Sequence, residues 1–410
     1  MRERIVKDAN NMMAPILKSE PKQEKPKKNW LIFLILGLVF LVGGVACLVI
    51  GLLKPEEIGA VLTFPKIPSS NPEAEIYSDL TGETIASTAE KNLPVYCIQT
   101  PNGTDGARPQ AGLNQAGVIF EAIAEAGITR FAAIYQEPTS AIIGPIRSLR
   151  MYYLDWDTPF NCTIVHAGGA DDAIRAVSNG DYRNLDESYT YMYRGTRGER
   201  RWNNLFTTSE LLKQFNTSNG YLASEVKGFS RMTPVEAKKQ MVDNLVNEKL
   251  DILNSTSEST SELEPKVSVI NLSFGSSPTF NVHYDYDVES NTYLRSYGNG
   301  NDHEVYVCPN EDLGKKDPES VCTLKQMAPS VVIAMVVAER KAADNYHEDI
   351  TTIGSGNAFI FQNGDVVKAT WRKDTKQDQI KFLDKEGQEI KLAPGQTFVS
   401  AIPNYGSIEY

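Results

Sequence analysis

The sequence predicts an α+β protein with three parts: an N-terminal transmembrane helix, a mixed α/β N-terminal domain and a mostly antiparallel β C-terminal domain. Three observations predict it. Residues 31–53 run for 23 positions without a charge. Residues 76–250 alternate short apolar runs with segments that carry helix-start signals, and residues 265–410 hold apolar runs broken by hairpin turns. With 41% hydrophobic and 23% charged residues, the chain has material for a core and is neither wholly disordered, collagen-like nor coiled-coil. Its net charge of −11 argues against duplex nucleic acid as a partner, since such proteins usually present a basic field.

The apolar run from Leu31 to Leu53 is long enough, at 1.5 Å per helical residue, to span a bilayer core. Lys22, Lys25, Lys27 and Lys28 precede it, so the positive-inside rule keeps the basic tail 1–30 in the cytoplasm and exports residues 54–410. Gly44-Val45-Ala46 before Cys47 resembles a lipidation signal. The apolar run continues past Cys47, however, and that cysteine reads as a residue within the span. Residues 54–75, rich in Pro, Glu and Ser, form a tether. The Ser/Thr/Glu stretch within 251–264 separates the two exported domains, 76–250 and 265–410, because it has too little apolar surface to join a core.

In the first exported domain, Val95–Ile98, Val118–Ala124, Phe131–Tyr135 and Cys162–His166 suit buried strands. Thr207 with Glu210, and Thr233 with Pro234 and Glu236, read as capping boxes that open helices. In the second, Val267–Leu272, Asn281–Tyr286, Ser330–Val337, Phe359–Gln362 and Val366–Trp371 read as strands, with Asn363-Gly364-Asp365 as a hairpin turn. Cys97 and Cys162 lie in apolar runs and read as buried. Cys308 and Cys322 flank a polar loop and are a disulfide candidate in an exported chain. No cysteine or histidine cluster has zinc spacing, and no cofactor motif is legible.

Several motifs follow in a fixed order: RPQAGL at 108–113, EAGITRF at 125–131, IGPIRS at 143–148, VHAGG at 165–169 and NLFTT at 204–208. Further on come YLR at 293–295, GSG at 354–356, NGD at 363–365, Thr370-Trp371 and PGQT at 394–397. In this order the chain resembles the YerB-like lipoprotein family of bacteria, the domain of unknown function 3048 family, over residues 77–405. The resemblance implies an extracytoplasmic, membrane-tethered protein and supplies no reaction. Two departures stand out. Relatives usually carry a lipidated cysteine where this chain keeps a span, and Trp202-Asn203 stands where they tend to have Pro-His.

His166 is the candidate catalytic residue, at a strand end followed by glycines. An imidazole there could serve as general acid, general base or anion contact. The favoured reading is structural: the ring ties down the turn and Asp171 caps the helix after it. Arginines are the second signal. Arg130, Arg147, Arg150 and Arg194, with His166 and Asn204, are the candidate ligand-binding residues; Arg108 and Arg201 lie in neighbouring motifs. Gathered on one cleft, such arginines would receive a carboxylate or phosphate. Scattered, they would be separate salt bridges, and the sequence leaves both open. Glu121 and Glu125 share a face in either strand or helix and read as solvated or salt-bridged glutamates rather than a catalytic pair. His283, His303 and His347 have no ligand spacing. GSG at 354–356 is no nucleophile elbow and reads as a bulge or turn.

These readings lead to a membrane-anchored protein of the bacterial envelope that binds peptidoglycan, an anionic wall polymer or a wall-synthesis protein. The alternative is an enzyme on a wall glycan or lipid-linked phosphate with an arginine and histidine site.

Overall fold

The segment Val118–Glu125, VIFEAIAE, is buried at every position, and its two faces enter different cores. Val118, Phe120 and Ala122 join one apolar cluster and Ile119 another, as the two-residue side-chain period of a strand requires. A strand apolar on both faces belongs in the interior of a covered sheet. The computed structural model shows that sheet, and describes residues 75–196, 203–255, 265–309, 311 and 314–410.

In the N-terminal half the elements are β1 (Val95–Pro101), β2 (Val118–Glu125), β3 (Ile128–Gln136), α1 (Met151–Asp157), β4 (Thr163–Val165), α2 (Asp171–Asn179), β5 (Arg183–Leu185), α3 (Ser209–Ser218) and α4 (Pro234–Ser255). The C-terminal half supplies β6 (Val269–Ser273), β7 (Val282–Asp287), β8 (Thr292–Tyr297), β9 (Val331–Val337), β10 (Glu339–Lys341), β11 (Glu348–Ile350), β12 (Gly354–Gln362), β13 (Asp365–Lys373), β14 (Lys381–Leu383), β15 (Thr397–Pro403) and β16 (Ser407–Glu409). A ten-stranded sheet runs in the order β14-β13-β12-β9-β15-β2-β3-β1-β4-β5, and a four-stranded sheet in the order β8-β7-β6-β16.

The halves meet inside the large sheet. C-terminal β15 pairs in parallel with N-terminal β2, with Thr397 opposite Val118 and Ser400 opposite Glu121. The stretch before residue 265 therefore divides the chain in sequence, while in space residues 74–410 form one compact unit. The helix α4 also runs on to Ser255, beyond the expected start of the linker at 251, because nothing before the Ser/Thr run stops it. The C-terminal half is mostly antiparallel, and its one parallel pairing with itself is β9 with β15.

Local chemistry explains the turns and caps. Ala126 (φ 50°) and Gly127 (φ 74°) make the two-residue β2–β3 turn, and Asn363 (φ 54°) and Gly364 (φ 71°) make the β12–β13 turn. The Thr233–Glu236 capping box closes in both directions, at 2.7 and 3.2 Å. The other cap lies one residue later than expected. Thr208, not Thr207, accepts the Leu211 N–H at 3.1 Å, while the Thr207 hydroxyl donates to the Tyr191 carbonyl. Gly356 lies within β12 rather than in a bulge, because a Cβ there would meet Trp371 Nε1 at 2.5 Å.

Two disulfides cross-link the described residues. One joins Cys308 to Cys322 and the other joins Cys97 to Cys162, which the sequence reading treated only as buried residues. With sequence separations of 14 and 65, the chain-entropy model gives about 3 and about 4 kcal/mol of stabilisation. Among the described residues no helix is long and apolar enough to cross a membrane. The run 31–53, the basic tail, the tether, Cys47, Arg201 and Trp202 lie outside them.

Candidate functional site

The candidate site begins at the β2–β3 hairpin. A register shift between Ile123 and Glu125 re-aims the end of β2, and Glu125 there receives two arginines. Arg130 Nη2 reaches Oε1 at 2.6 Å and Arg150 Nη2 reaches Oε2 at 2.5 Å. The two arginine side chains are 3% and 6% exposed, so this pair of bridges is largely desolvated. A second donor of each goes to backbone, Arg130 Nη1 to the Ser148 carbonyl and Arg150 Nη1 to the Leu149 carbonyl, while the Nε of both is buried without a partner. Burial alone would raise the Glu125 pKa, but Arg130 and Arg150, helped by Arg147, hold it below the ordinary carboxylate range. Arg147 sits in the same field without a side-chain hydrogen bond of its own, its Nε buried and unpartnered. Burial, then the charge of Arg130, lowers its pKa. Arg130, Arg147 and Arg150 thus do gather around one carboxylate.

The other candidates do not join them. His166 is fully buried in the turn after β4. Its Nδ1–H donates to the Gly168 carbonyl at 2.8 Å and its Nε2 pairs with the Asn184 amide at 2.7 Å. Both ring nitrogens are engaged, so the imidazole ties the turn to β5. The expected Asp171 cap is absent: Ala170 is the N-cap and Asp171 the first residue of α2, with no side-chain cap bond. What the turn positions is the 147–149 segment: the Arg147 carbonyl accepts from Ala167 N–H, and Leu149 N–H donates to Gly168. Arg194 and Asn204 pair with each other at 3.1 Å, and Arg194 also reaches Glu187 at 2.5 Å. Asn203 donates to Asp105 at 2.9 Å.

A cleft of about 760 Å³ opens beside Arg150. One wall is Arg150, Met151, Tyr152 and Asp155 of the α1 region, the second is Gly169 to Arg175, and the third is the β10–β11 hairpin of the C-terminal half. The hairpin is anchored by a backbone bridge between His347 and Glu125 itself. His347 lines this cleft. Its Nδ1 is held at 2.5 Å by Asp344, and among the described residues its Nε2 has no hydrogen-bond partner. Asp344 is kept well below the ordinary range by the backbone N–H groups of His347 and Tyr346 and by the imidazole. His347 was missed from sequence for want of a spacing pattern; its signal is the Asp-Asn-Tyr-His turn itself.

A second buried network lies four residues back on β2. Glu121 and Arg295, both fully buried, meet at 2.8 Å. Thr129 and Asn102 also reach Glu121, and Arg108 ties into the network through Asn102 at 2.9 Å while stacking 3.6 Å from the Tyr297 ring centroid. Arg295 donates to His303 Nδ1, and His303 Nε2 reaches Gln110. Burial, then the charges of Arg295 and Arg108, pushes the His303 pKa far down, so its ring is neutral. The RPQAGL and YLR motifs meet here, as a strut between the halves.

Fold and cleft together define a mixed-sheet α+β protein in which a cleft of ligand size beside Arg150 is walled by both halves of the chain. The chain belongs to the family described as "Protein of unknown function (DUF3048)", whose N-terminal domain matches residues 80–222 and whose C-terminal domain matches residues 270–399. The protein named "Putative lipoprotein YerB" from Bacillus subtilis (strain 168) is 25% identical over 334 residues, covering 80% of this chain and 87% of that one. The crystal structure of YerB protein from Bacillus subtilis covers 82% of this chain and 100% of its own, with a TM-score of 0.63 at 20% identity, a likeness of fold.

Proposed function

We propose that this chain is a membrane-anchored, extracytoplasmic protein of the bacterial cell envelope that binds a wall polymer or a wall-synthesis partner in the cleft beside Arg150. The observation that carries the reading is that Arg150, buried and ion-paired to Glu125, still lines a cleft of ligand size. The setting is supported by the uncharged run 31–53, by the name of the Bacillus relative, and by four cysteines held in two disulfides, which suits an oxidising compartment. Full-length protein in detergent is expected to bind peptidoglycan or teichoic-acid fragments, and Arg150→Gln to weaken that binding at least tenfold. Failure to bind either overturns the binding reading. Protease added to intact cells is expected to remove residues 75–410; survival of that part overturns the topology.

A second reading, an enzyme on a wall glycan or lipid-linked phosphate, is favoured by one observation. Asp344 holds the Nδ1 of His347, a residue that lines the cleft, as in sites where a carboxylate orients an acid–base histidine. Turnover of either substrate that disappears in His347→Ala would select this reading over simple binding.

A further inference from the structure

The charges lining the cleft mostly cancel in place. Asp155 is paired with Lys376 at 3.1 Å, Asp349 with Arg340 at 2.8 Å, Glu348 with Lys341 and Asp344 with His347. Among the described residues three lining charges have no ion-pair partner: Asp171 and Asp172 at the start of α2, and Arg175 one turn further on. Arg175 is three residues from Asp172 and four from Asp171, spacings at which helical ion pairs form. No bridge forms at either, so both signs are left facing the cleft. Arg150 adds a cationic group from the neighbouring wall, 5% exposed and with its Nε unpartnered. The two walls are joined by backbone: the Leu149 carbonyl accepts the Ala170 N–H at 3.1 Å, so Arg150 and Asp171 each stand one residue from that bond.

An anionic polymer would match the arginines but meet two uncompensated carboxylates, and a polycation would meet the reverse. A ligand that carries both signs a short distance apart satisfies both. Resting on the binding reading above, we propose that this cleft takes a zwitterionic ligand, a short peptide or an amino-acid-bearing segment of a polymer. Its carboxylate sits on Arg150 and Arg175 and its ammonium on Asp171 and Asp172. The cleft volume, about 760 Å³, is in the range of small-molecule and peptide sites.

The test is calorimetric titration of the full-length chain with trialanine, in both L and D forms. Each form is used with both ends free, with the amine acetylated, with the carboxylate amidated, and with both blocked. Blocking either end is expected to weaken binding at least tenfold. The exposed double variant Asp171→Asn/Asp172→Asn is expected to lose the preference for a free amine while keeping that for a free carboxylate, and Arg175→Gln to do the converse. Equal binding of all the peptides, or binding of none, overturns the zwitterion. If none binds while the protein still takes up wall fragments, the ligand class alone falls; if wall fragments fail too, the binding reading falls with it.

Discussion

Glu121 and Glu125 stand four residues apart on β2, both paired with arginine, and they end in opposite situations. Glu121 and Arg295 are fully buried and lie in a network that joins the two halves. Glu125 is 12% exposed, and one of its two arginines lines a cleft. The difference follows from position along one strand. Glu121 lies mid-sheet, where β15 covers it, and Glu125 lies at the end, past a register shift. A sealed charge pair contributes specificity of fold and is costly to break, whereas a pair at a cleft edge can exchange a partner for a ligand.

The largest expected effect tests that contrast directly. Glu121→Ala strands Arg295 without water or counter-charge and should cost about 3–5 kcal/mol, as broken buried pairs do. Glu125→Ala leaves Arg130 and Arg150 with their backbone carbonyls and a nearby cleft, and should cost about 1–3 kcal/mol. Urea denaturation of both variants, with unchanged slope, measures the gap. Equal losses would mean that the cleft pair is as structural as the strut.

The next effect sharpens the strut alone. His303 accepts from Arg295, which can only donate, so the imidazole must be neutral in the folded protein. Its folded pKa is depressed, so the unfolded chain takes up the proton first. The stability it contributes is present above about pH 6.5 and is lost as pH falls toward the folded value, by about 1.4 kcal/mol per unit. Thermal melts from pH 8 to pH 5 should show that slope, and His303→Gln should flatten it. A slope unchanged in the variant would take His303 out of the strut.

Much of this was legible in residue order, and the rest depended on contacts distant in sequence. The strands, the Asn363-Gly364 turn and the Thr233 capping box follow from local chemistry. The motif arginines could be named, but not gathered: Arg130 meets Glu125 only because a two-residue turn folds β3 back on β2. Glu121 and Glu125 do not share a face as an unbroken strand would have it, because the register shift between Ile123 and Glu125 turns the end of β2 over, and the partner that explains Glu121 is Arg295, 174 residues away. Cys97 and Cys162 were hidden by their apolar surroundings, although the four cysteines that follow the run 31–53 allow two pairs. His166 looked the more chemical histidine because glycines follow it, and those same glycines let its ring bond back to the turn.

The smallest expected effect extends the comparison to a glutamate that forms no ion pair among the described residues. Glu339 begins the hairpin that walls the cleft, and its neighbour Lys341 is committed to Glu348. Tyr405 donates to Glu339 Oε1 at 2.6 Å, while Oε2 is buried without a partner. Burial, with the charge of Glu348 adding to it, pushes the carboxyl up to about 7. For an acid whose folded pKa is raised, the stabilised form is the protonated one. The contribution is therefore present below about pH 4.5 and is lost as pH rises through about 7. Glu339→Gln keeps the shape without the charge, so the variant should match the natural protein near pH 4.5 and exceed it near pH 8. Allowing for partial solvent screening, the gain should be about 1 kcal/mol, read from paired thermal melts. A gain of the same size at both pH values would show that shape rather than charge limits this corner of the hairpin.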